Sequence, residues 1–98
     1  MNLIEETQKL LNYLRIQDYK TAVHRCEKLI NNFPNNPLLF NLLGLALHGN
    51  GNYLIAIDKY KKALDLDVNF LPAMNNLANS YKSSGNFEKA EDYYNKAI

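Results

Sequence analysis

The side chains that could perform chemistry are few, and their spacing does not assemble a reactive site. His24 and His48 fall on different predicted helices, and neither has a histidine or carboxylate four residues later to complete a pair of metal ligands. Asp65 and Asp67 stand at the end of a predicted helix, where we expect solvent to surround them. No glycine-rich phosphate loop, nucleophile elbow or zinc motif is present. The sequence therefore predicts no catalytic residue, no cofactor and no metal site, and we expect a protein that is not an enzyme.

Cys26 is the only cysteine, so it cannot form a disulfide within the chain, and a single thiol suits a reducing cytoplasm. A reactive cysteine needs an electropositive, partly exposed setting. Cys26 instead corresponds to Tyr60 and Tyr94 in the repeating pattern described below. That correspondence favours a small, buried apolar side chain.

Length and charge restrict the class of protein. A chain of 98 residues forms one domain at most. Its net charge of +1 gives no field that would attract nucleic acid or an anionic membrane, and no apolar run approaches the ~20 residues of a membrane span. Glu5 and Glu6 stand where a secretory signal would carry positive charge. These features predict a cytoplasmic protein that binds neither nucleic acids nor membranes.

The elements that must position any site repeat at a spacing of 34 residues. The matched pairs are Phe40 with Met74, Leu43 with Leu77, Gly44 with Ala78, Gly51 with Gly85, Ala56 with Ala90, and Tyr60 with Tyr94. The first unit is a weaker copy, in which Glu6 and Lys9 replace apolar residues. Polar residues there are expected if nothing packs in front of the first helix. A fixed period of this length indicates a solenoid, in which each unit buries its apolar face against its neighbours.

Helical periodicity predicts six helices separated by turns rich in glycine, asparagine and proline. We predict them at residues 3–15, 19–31, 37–49, 53–66, 71–83 and 87–98. Gly51 and Gly85 suit the left-handed conformation that ends a helix, and Asn52 and Asn86 suit the cap of the next one.

The repeated columns resemble the tetratricopeptide repeat, whose pattern is Trp-x2-Leu-Gly-x2-Tyr followed by Ala-x3-Phe and a proline. The second unit matches from Phe40 to Tyr60 and the third from Met74 to Tyr94, while Val68 stands in place of the usual proline and no tryptophan is present. The resemblance implies an all-α fold: three antiparallel helix hairpins stacked as a right-handed α-solenoid. It also implies a single domain over residues 1–98, with repeats at about 3–36, 37–70 and 71–98, the last lacking a closing helix.

The resemblance also implies where a partner binds, because in this family the first helix of each repeat lines a concave groove that holds peptides or helices. The implied groove residues are Leu38, Asn41, Leu42, Leu45, His48, Asn75, Asn76, Asn79 and Lys82, continued on the first helix by Ile4, Thr7, Gln8 and Leu11. The predicted third helix is apolar nearly all round, so Leu38, Leu42 and Leu45 are expected either to face an open groove or to be partly shielded by neighbouring bulky side chains.

The third repeat resembles those of O-linked N-acetylglucosamine transferase, in which an asparagine ladder binds the backbone of the substrate peptide. Asn76 stands at the matching position, but Leu42 and Gln8 precede it one and two repeats earlier, so the ladder has a single rung. An amide that donates and accepts suits a peptide backbone. The alternative is that Asn76 reflects only an asparagine-rich composition. The groove lacks the positive charge that clamps a C-terminal carboxylate.

Two functions follow from the resemblance. The first is a protein–protein interaction scaffold that binds a partner peptide or helix. The second is the N-terminal segment of a larger glycosyltransferase or sulfotransferase, which would recruit its substrate. The sequence stops at Ile98 inside the sixth predicted helix, and this favours a fragment.

The last predicted helix has no following helix to cover it, so we expect homo-oligomers, formed by end-to-end packing or by helix exchange. The expected self-association edge consists of Tyr93, Tyr94, Ala97 and Ile98.

Overall fold

The computed structural model describes residues 2–98, which form six α-helices and no strand. The helices are α1 (Leu3–Arg15), α2 (Tyr19–Asn32), α3 (Pro37–Gly49), α4 (Tyr53–Leu66), α5 (Leu71–Ser83) and α6 (Phe87–Lys96). The prediction of an all-α helical solenoid is confirmed. The predicted bounds differ at two ends, since α2 runs one residue longer and α6 stops at Lys96.

Side-chain caps begin four of the helices. In each case an Asn or Asp oxygen accepts a hydrogen bond from a backbone N–H of the first turn, which satisfies a donor that has no partner within the helix. The capping residues are Asn2, Asp18, Asn36 and Asn86. Asn52 occupies the cap position of α4 but makes no such bond, so its predicted capping role is wrong. Pro37 opens α3, where its missing N–H costs nothing.

The turn inside each hairpin uses one residue in the left-handed backbone region. Gly51 and Gly85 take φ angles of 84° and 88°, as their composition predicts. In the first hairpin the same place is held by Gln17, at a φ of 63°. A side chain in this region is strained, so the first turn is less favourable than the other two.

The hairpins α1–α2, α3–α4 and α5–α6 stack so that each second helix is covered by the next first helix. The first helix α3 also contacts α1 and α5, whereas within residues 2–98 the second helices α2, α4 and α6 do not contact one another. The stack is therefore curved, with the first helices on the inside. This curvature is what makes a concave face.

Contacts at equivalent places define the junctions between repeats. The ring of Tyr19 in the first repeat lies against Gly49 in the second, where an added Cβ would come within 2.2 Å of the ring. The Cys26 thiol donates to the Leu39 carbonyl across the same junction, at 3.0 Å. The second and third repeats join through Ala63 and Ala73, both fully buried. Small residues at these places let neighbouring helices approach closely.

Candidate peptide-binding groove

The concave face has an apolar half formed by α1 and α3. Ile4 and Leu11 on α1 are 72% and 51% exposed, and Leu38 on α3 is 39% exposed. Leu45, two turns after Leu38, is half-buried. Residues spaced by seven lie on one stripe of a helix, so these four side chains form two parallel apolar stripes on adjacent helices.

The other half of the concave face is polar and belongs to α5. Asn75, Asn79 and Lys82 are exposed, and Asn76 is half-buried. Asn79 accepts a hydrogen bond from the Tyr94 hydroxyl of α6. The groove thus changes from aliphatic side chains to amides along the stack.

A pair of amides joins the two halves. Asn76 Nδ2 donates to Asn41 Oδ1 at 3.0 Å, which links α5 to α3. Asn41 is 4% exposed and Asn76 is half-buried, so Asn76 is the member of the pair that a ligand could approach. Its amide oxygen can accept a hydrogen bond from a peptide N–H.

His48, an expected groove residue, stands in the last turn of α3. Its Nδ1 lies 2.7 Å from the hydroxyl oxygen of Ser80 on α5, and its ring packs edge-on against Tyr53 with centroids 5.0 Å apart. Burial lowers the pKa of His48 from 6.5, because the charged imidazolium loses solvation. The contact is structural, since Ser80 is fully buried and no ligand can reach its hydroxyl.

Two residues expected to line an open groove are covered instead. Leu42 and Asn41 are each 4% exposed, so the expectation that Leu42 faces open space is wrong. Asn41 is covered on the flank that faces α5. Leu42 lies about 100° further round α3 and belongs to the main hydrophobic core cluster. Among the apolar residues expected in the groove, Ile4, Leu11 and Leu38 are the exposed ones.

The residues of the predicted self-association edge differ in how exposed they are. Tyr93 stacks on Tyr81 with centroids 5.7 Å apart and lines a cleft together with residues of α4. Tyr94 and Ala97 are half-buried and Ile98 is fully exposed. Phe87, which was not predicted as an edge residue, is 66% exposed. Its correspondence with Tyr53 and Tyr19 was a usable signal.

Basic side chains on α4 and α6 lie against the stacked rings of Tyr81 and Tyr93. The ammonium groups of Lys61 and Lys89 lie 5.8 and 5.5 Å from the Tyr81 ring centroid, and Lys96 lies 4.6 Å from that of Tyr93. A hydrogen bond with Tyr81 raises the pKa of Lys61. Each cation lies within the range at which an aromatic ring attracts it, so the cluster stabilises the packing of α4, α5 and α6.

No reactive centre is found among the described residues. Burial, with a smaller contribution from Glu27, raises the pKa of Cys26 to about 12, so the thiol stays protonated. The Cys26 side chain is only 1% exposed, which agrees with its interpretation as a buried apolar group. Within residues 2–98, no three His, Cys, Asp or Glu side chains are grouped closely enough to hold a metal ion.

Comparison with protein-family models gives two matches, both to the tetratricopeptide repeat. One model matches residues 8–69 and a second matches residues 72–98. Together they cover all three hairpins. Every helix in residues 2–98 falls short of the length and apolar character that crossing a membrane requires.

Curated relatives are longer than this chain. Small glutamine-rich tetratricopeptide repeat-containing protein 2 of Mycosarcoma maydis is 32% identical over 82 residues, which are 84% of this chain and 23% of that protein. Protein ycf37 of Porphyra purpurea, described as uncharacterized, is 35% identical over 60 residues, 61% of this chain and 35% of that one. The chain therefore spans about a quarter to a third of the relatives it matches.

Solved structures of MamA share the fold. MamA MSR-1 is 33% identical with a TM-score of 0.85, over 98% of this chain and 55% of that chain. MamA from Desulfovibrio magneticus RS-1 has a TM-score of 0.90 at 24% identity, over 98% of this chain and 54% of that one, a likeness of fold alone.

Proposed function

This chain belongs to the tetratricopeptide repeat family, and from that premise we propose that it binds an extended or helical segment of a partner protein in its concave groove. The family supports a protein-interaction scaffold in general, and the groove is our proposal for the site. The observation that carries it is the juxtaposition of exposed aliphatic side chains on α1 and α3 with exposed amides on α5.

The two halves of the groove offer different interactions to a ligand. Ile4, Leu11 and Leu38 offer apolar area, and covering such area stabilises a complex by about 25 cal/mol per Å2 before the costs of association. Asn75 and Asn76 offer hydrogen bonds that hold a backbone in place without reading its side chains. The ligand that fits is a segment with aliphatic residues at one end and an accessible backbone at the other.

Charge restricts the ligand further. Lys82 is the basic residue of the groove on α5, and it stands at the end of the helix, one turn beyond Asn79. A ligand with a carboxylate near its amide-contacting end would place that charge close to Lys82. The proposed domain, one unit over residues 1–98, holds both halves of the groove.

Peptide-display selection against the 98-residue chain tests the proposal. We expect selected peptides to carry aliphatic residues, and the double variant Ile4→Ser with Leu11→Ser to weaken binding by about tenfold or more, since two exposed aliphatic anchors are lost. The matched control is Leu54→Ser with Ile55→Ser on α4, because Leu54 and Ile55 are similarly exposed, at 75% and 52%, outside the groove.

Asn76→Ala tests the polar half separately. The substitution removes the side-chain amide that would bond to the backbone of the ligand, and it leaves the Asn41 side chain without its partner. We therefore expect weaker binding of peptides of any sequence. Peptides that bind the groove variants and the wild type equally, but lose affinity for the α4 control, would place the site elsewhere.

The alternative function is a recruiting segment of a larger enzyme of the glycosyltransferase or sulfotransferase type. The greater length of the curated relatives favours a module within a longer protein, but the relatives described above are not named as enzymes. The full-length reading frame distinguishes the two, because an adjacent catalytic domain would be recognisable at once. The groove proposal holds in either case.

A further inference from the structure

Two polar contacts join α3 to α5, the first helices of the second and third repeats. In one, Asn76 Nδ2 donates to Asn41 Oδ1 at 3.0 Å. In the other, His48 Nδ1 lies 2.7 Å from Ser80 Oγ. Asn41 and His48 are seven residues apart, so they lie on one stripe of α3, the stripe that faces α5. Because the first helices line the inside of the curved stack, both contacts lie along the groove.

The His48–Ser80 contact continues into the core through Tyr60 of α4. Ser80 and Tyr60 are fully buried. Burial raises the pKa of the Tyr60 phenol, and a contact with the Ser80 side chain opposes that rise. Beyond this contact, the Tyr60 hydroxyl has no hydrogen-bond partner among residues 2–98. A buried hydroxyl without a bond is destabilising, so Ser80 is the partner that Tyr60 requires.

The protons of these three side chains set the direction of each hydrogen bond. A phenol is more acidic than an aliphatic hydroxyl and is the better donor, so Tyr60 donates to Ser80 Oγ. The Ser80 proton is then directed to His48, whose Nδ1 accepts it. A neutral imidazole carries its proton on the nitrogen that does not accept, so the ring proton of His48 lies on Nε2. The reverse order would leave the Tyr60 proton without an acceptor in the core.

The second ring nitrogen of His48 is open to solvent. Nε2 has no hydrogen-bond partner within residues 2–98, and it is not one of the buried polar atoms that lack a partner. The bond to Ser80 and the edge-on contact with Tyr53, with ring centroids 5.0 Å apart, hold the ring from two sides. The Nε2–H is therefore a donor of fixed direction that can bond to another molecule.

We propose that His48 binds a carbonyl oxygen of the groove ligand through its Nε2–H, and that Ser80 and Tyr60 are positioning residues that hold the ring in this tautomer. The proposal rests on the proposed function, because it adds a contact in the same groove. The bound group is an uncharged carbonyl rather than a carboxylate. A carboxylate favours a protonated ring, and a proton on Nδ1 would leave one of the three donors of this buried chain without an acceptor.

The spacing of the two contacts defines the register of the ligand. Asn76 lies about 6 Å along α5 from Ser80, the residue that holds His48. Along α3, Asn41 and His48 are about 10 Å apart. An extended peptide covers this interval in two or three residues, at about 3.3 Å each. The ligand therefore presents an N–H to Asn76 and, two or three residues away, a carbonyl to His48.

Hydrogen bonds rather than charges surround the His48 ring. The titratable groups that face it are the Tyr53 phenol and, through Ser80, that of Tyr60. His48 forms no ion pair within residues 2–98. Lys82, two residues after Ser80, lies about 200° further round α5. A change in the pKa of His48 when Ser80 is replaced therefore reports the loss of a hydrogen bond.

Nitrogen-15 NMR of the histidine rings in the free 98-residue chain tests the tautomer without any ligand. Above about pH 7, we expect His48 to be neutral with its proton on Nε2. Ser80→Ala should raise the pKa of His48, because it removes a bond that only the neutral ring accepts. His24, exposed on α2, is the internal reference. A proton on Nδ1, or a pKa that Ser80→Ala does not move, would overturn the assignment.

Peptides selected by display against the 98-residue chain are the probe for binding. His48→Leu should weaken their binding about fivefold or more, since it removes the donor. His48→Gln should retain most of the affinity, because its amide nitrogen can occupy the place of Nε2. Backbone carbonyl oxygens of the peptide can be replaced one at a time by sulfur, a weaker acceptor. One position should then weaken binding to the wild type but not to His48→Leu.

A measurement on the wild-type chain covers the case in which His48→Leu folds poorly. A bound carbonyl should slow the exchange of the Nε2 proton with water. We therefore expect the Nε2–H resonance of His48 to appear or sharpen when a selected peptide is added, while that of His24 stays as it was. An Nε2 proton that exchanges equally fast with and without the peptide contradicts the contact.

Failure of this contact can be distinguished from failure of the groove. If Ile4→Ser with Leu11→Ser and Asn76→Ala weaken peptide binding while His48→Leu leaves it unchanged, the proposed function stands and the role of His48 is refuted. If none of these variants affects binding, the groove is not the site, and the binding role of His48 fails with it.

Discussion

The second and third repeats have the same helix register, but they differ in how a small residue on the first helix packs against a tyrosine on the second helix. In the second repeat, Gly44 faces the ring of Tyr60, and an added Cβ would lie 2.3 Å from that ring. In the third repeat, Ala78 and Tyr94 hold the same positions. Tyr60 is fully buried and Tyr94 is only half-buried. The small side chain and the covering helix α5 together decide whether the tyrosine enters the core.

In the first repeat, the large residue of this pair is on the first helix and the small residue is on the second. Its equivalent positions are Leu10 and Cys26, each 1% exposed. A large residue on the first helix is matched by a small one on the second, whereas the second repeat pairs the smallest residue with a tyrosine. Each pair fills a similar volume, and close-packed interiors tolerate exchanges that conserve volume.

The largest expected effect is the loss of the Tyr60 ring. Tyr60→Ala should lower the free energy of unfolding by about 3–5 kcal/mol, because it leaves a cavity in a fully buried site. Tyr94→Ala should cost less than about 2 kcal/mol, since that ring is half exposed. Urea denaturation of both variants measures the difference, and equal losses would show that α5 does not distinguish the two sites.

Substitutions of Gly44 and Ala78 test how the small residue of each pair contributes to stability. Gly44→Ala would stabilise a free helix by about 1 kcal/mol, but the Tyr60 ring should reverse the sign, giving a loss of about 1–3 kcal/mol by overpacking. Ala78→Gly has no such conflict and should cost about 1–2 kcal/mol, through lower helix propensity and the loss of a fully buried methyl group. A stabilised Gly44→Ala protein would mean that the ring moves aside freely.

The hairpin turns extend the comparison to the first repeat, because Gln17 adopts the left-handed φ that Gly51 and Gly85 adopt in the others. Gln17→Gly removes this strain at the expense of a more flexible unfolded chain. We expect a net gain of about 0.5–1 kcal/mol and a higher Tm. Gly51→Gln should shift Tm in the opposite direction, and a gain there would contradict the strain argument.

The smallest effect concerns the junction between the second and third repeats. Burial lowers the pKa of His48 below its ordinary 6.5, so the unfolded chain binds the proton more readily than the folded one. The stability that depends on neutral His48 is complete above pH 6.5 and is lost as the pH falls through the folded value. Tm should therefore fall between about pH 7 and pH 5.

Two variants isolate the contribution of His48 to this acid sensitivity. His48→Gln should make Tm depend less on pH in the same window, and His24→Gln, at an exposed site on α2, is the matched histidine substitution for comparison. Identical slopes for His48→Gln and the wild type would show that the Ser80 contact does not respond to protonation.

Local sequence features were enough for the helices and turns. The 34-residue correspondence predicted six helices within two residues at each end, because caps and left-handed glycines act over a few neighbouring residues. The burial of Cys26 and Tyr60 also followed from their shared column. Asn52 shows the limit, since residue type alone did not decide whether a cap forms.

The groove and the edge depended on contacts between helices that are distant in sequence. The apolar character of α3 allowed Leu42 either to face an open groove or to be shielded, and the structure buries it in the core. Tyr93 was expected at the edge, but it stacks on Tyr81, and the exposed aromatic residue is Phe87.

The sequence by itself determined the period, the helices and the membership of the family, because each follows from side-chain type at a fixed spacing along one chain. Only the tertiary structure decided which flank of each helix stays open. That depends on the angle at which one hairpin turns against the next, and on side chains such as Gly44 and Tyr60 that share one space from two helices. A one-dimensional pattern identifies the faces of a helix, and the packing of its neighbours determines which of them a partner can reach.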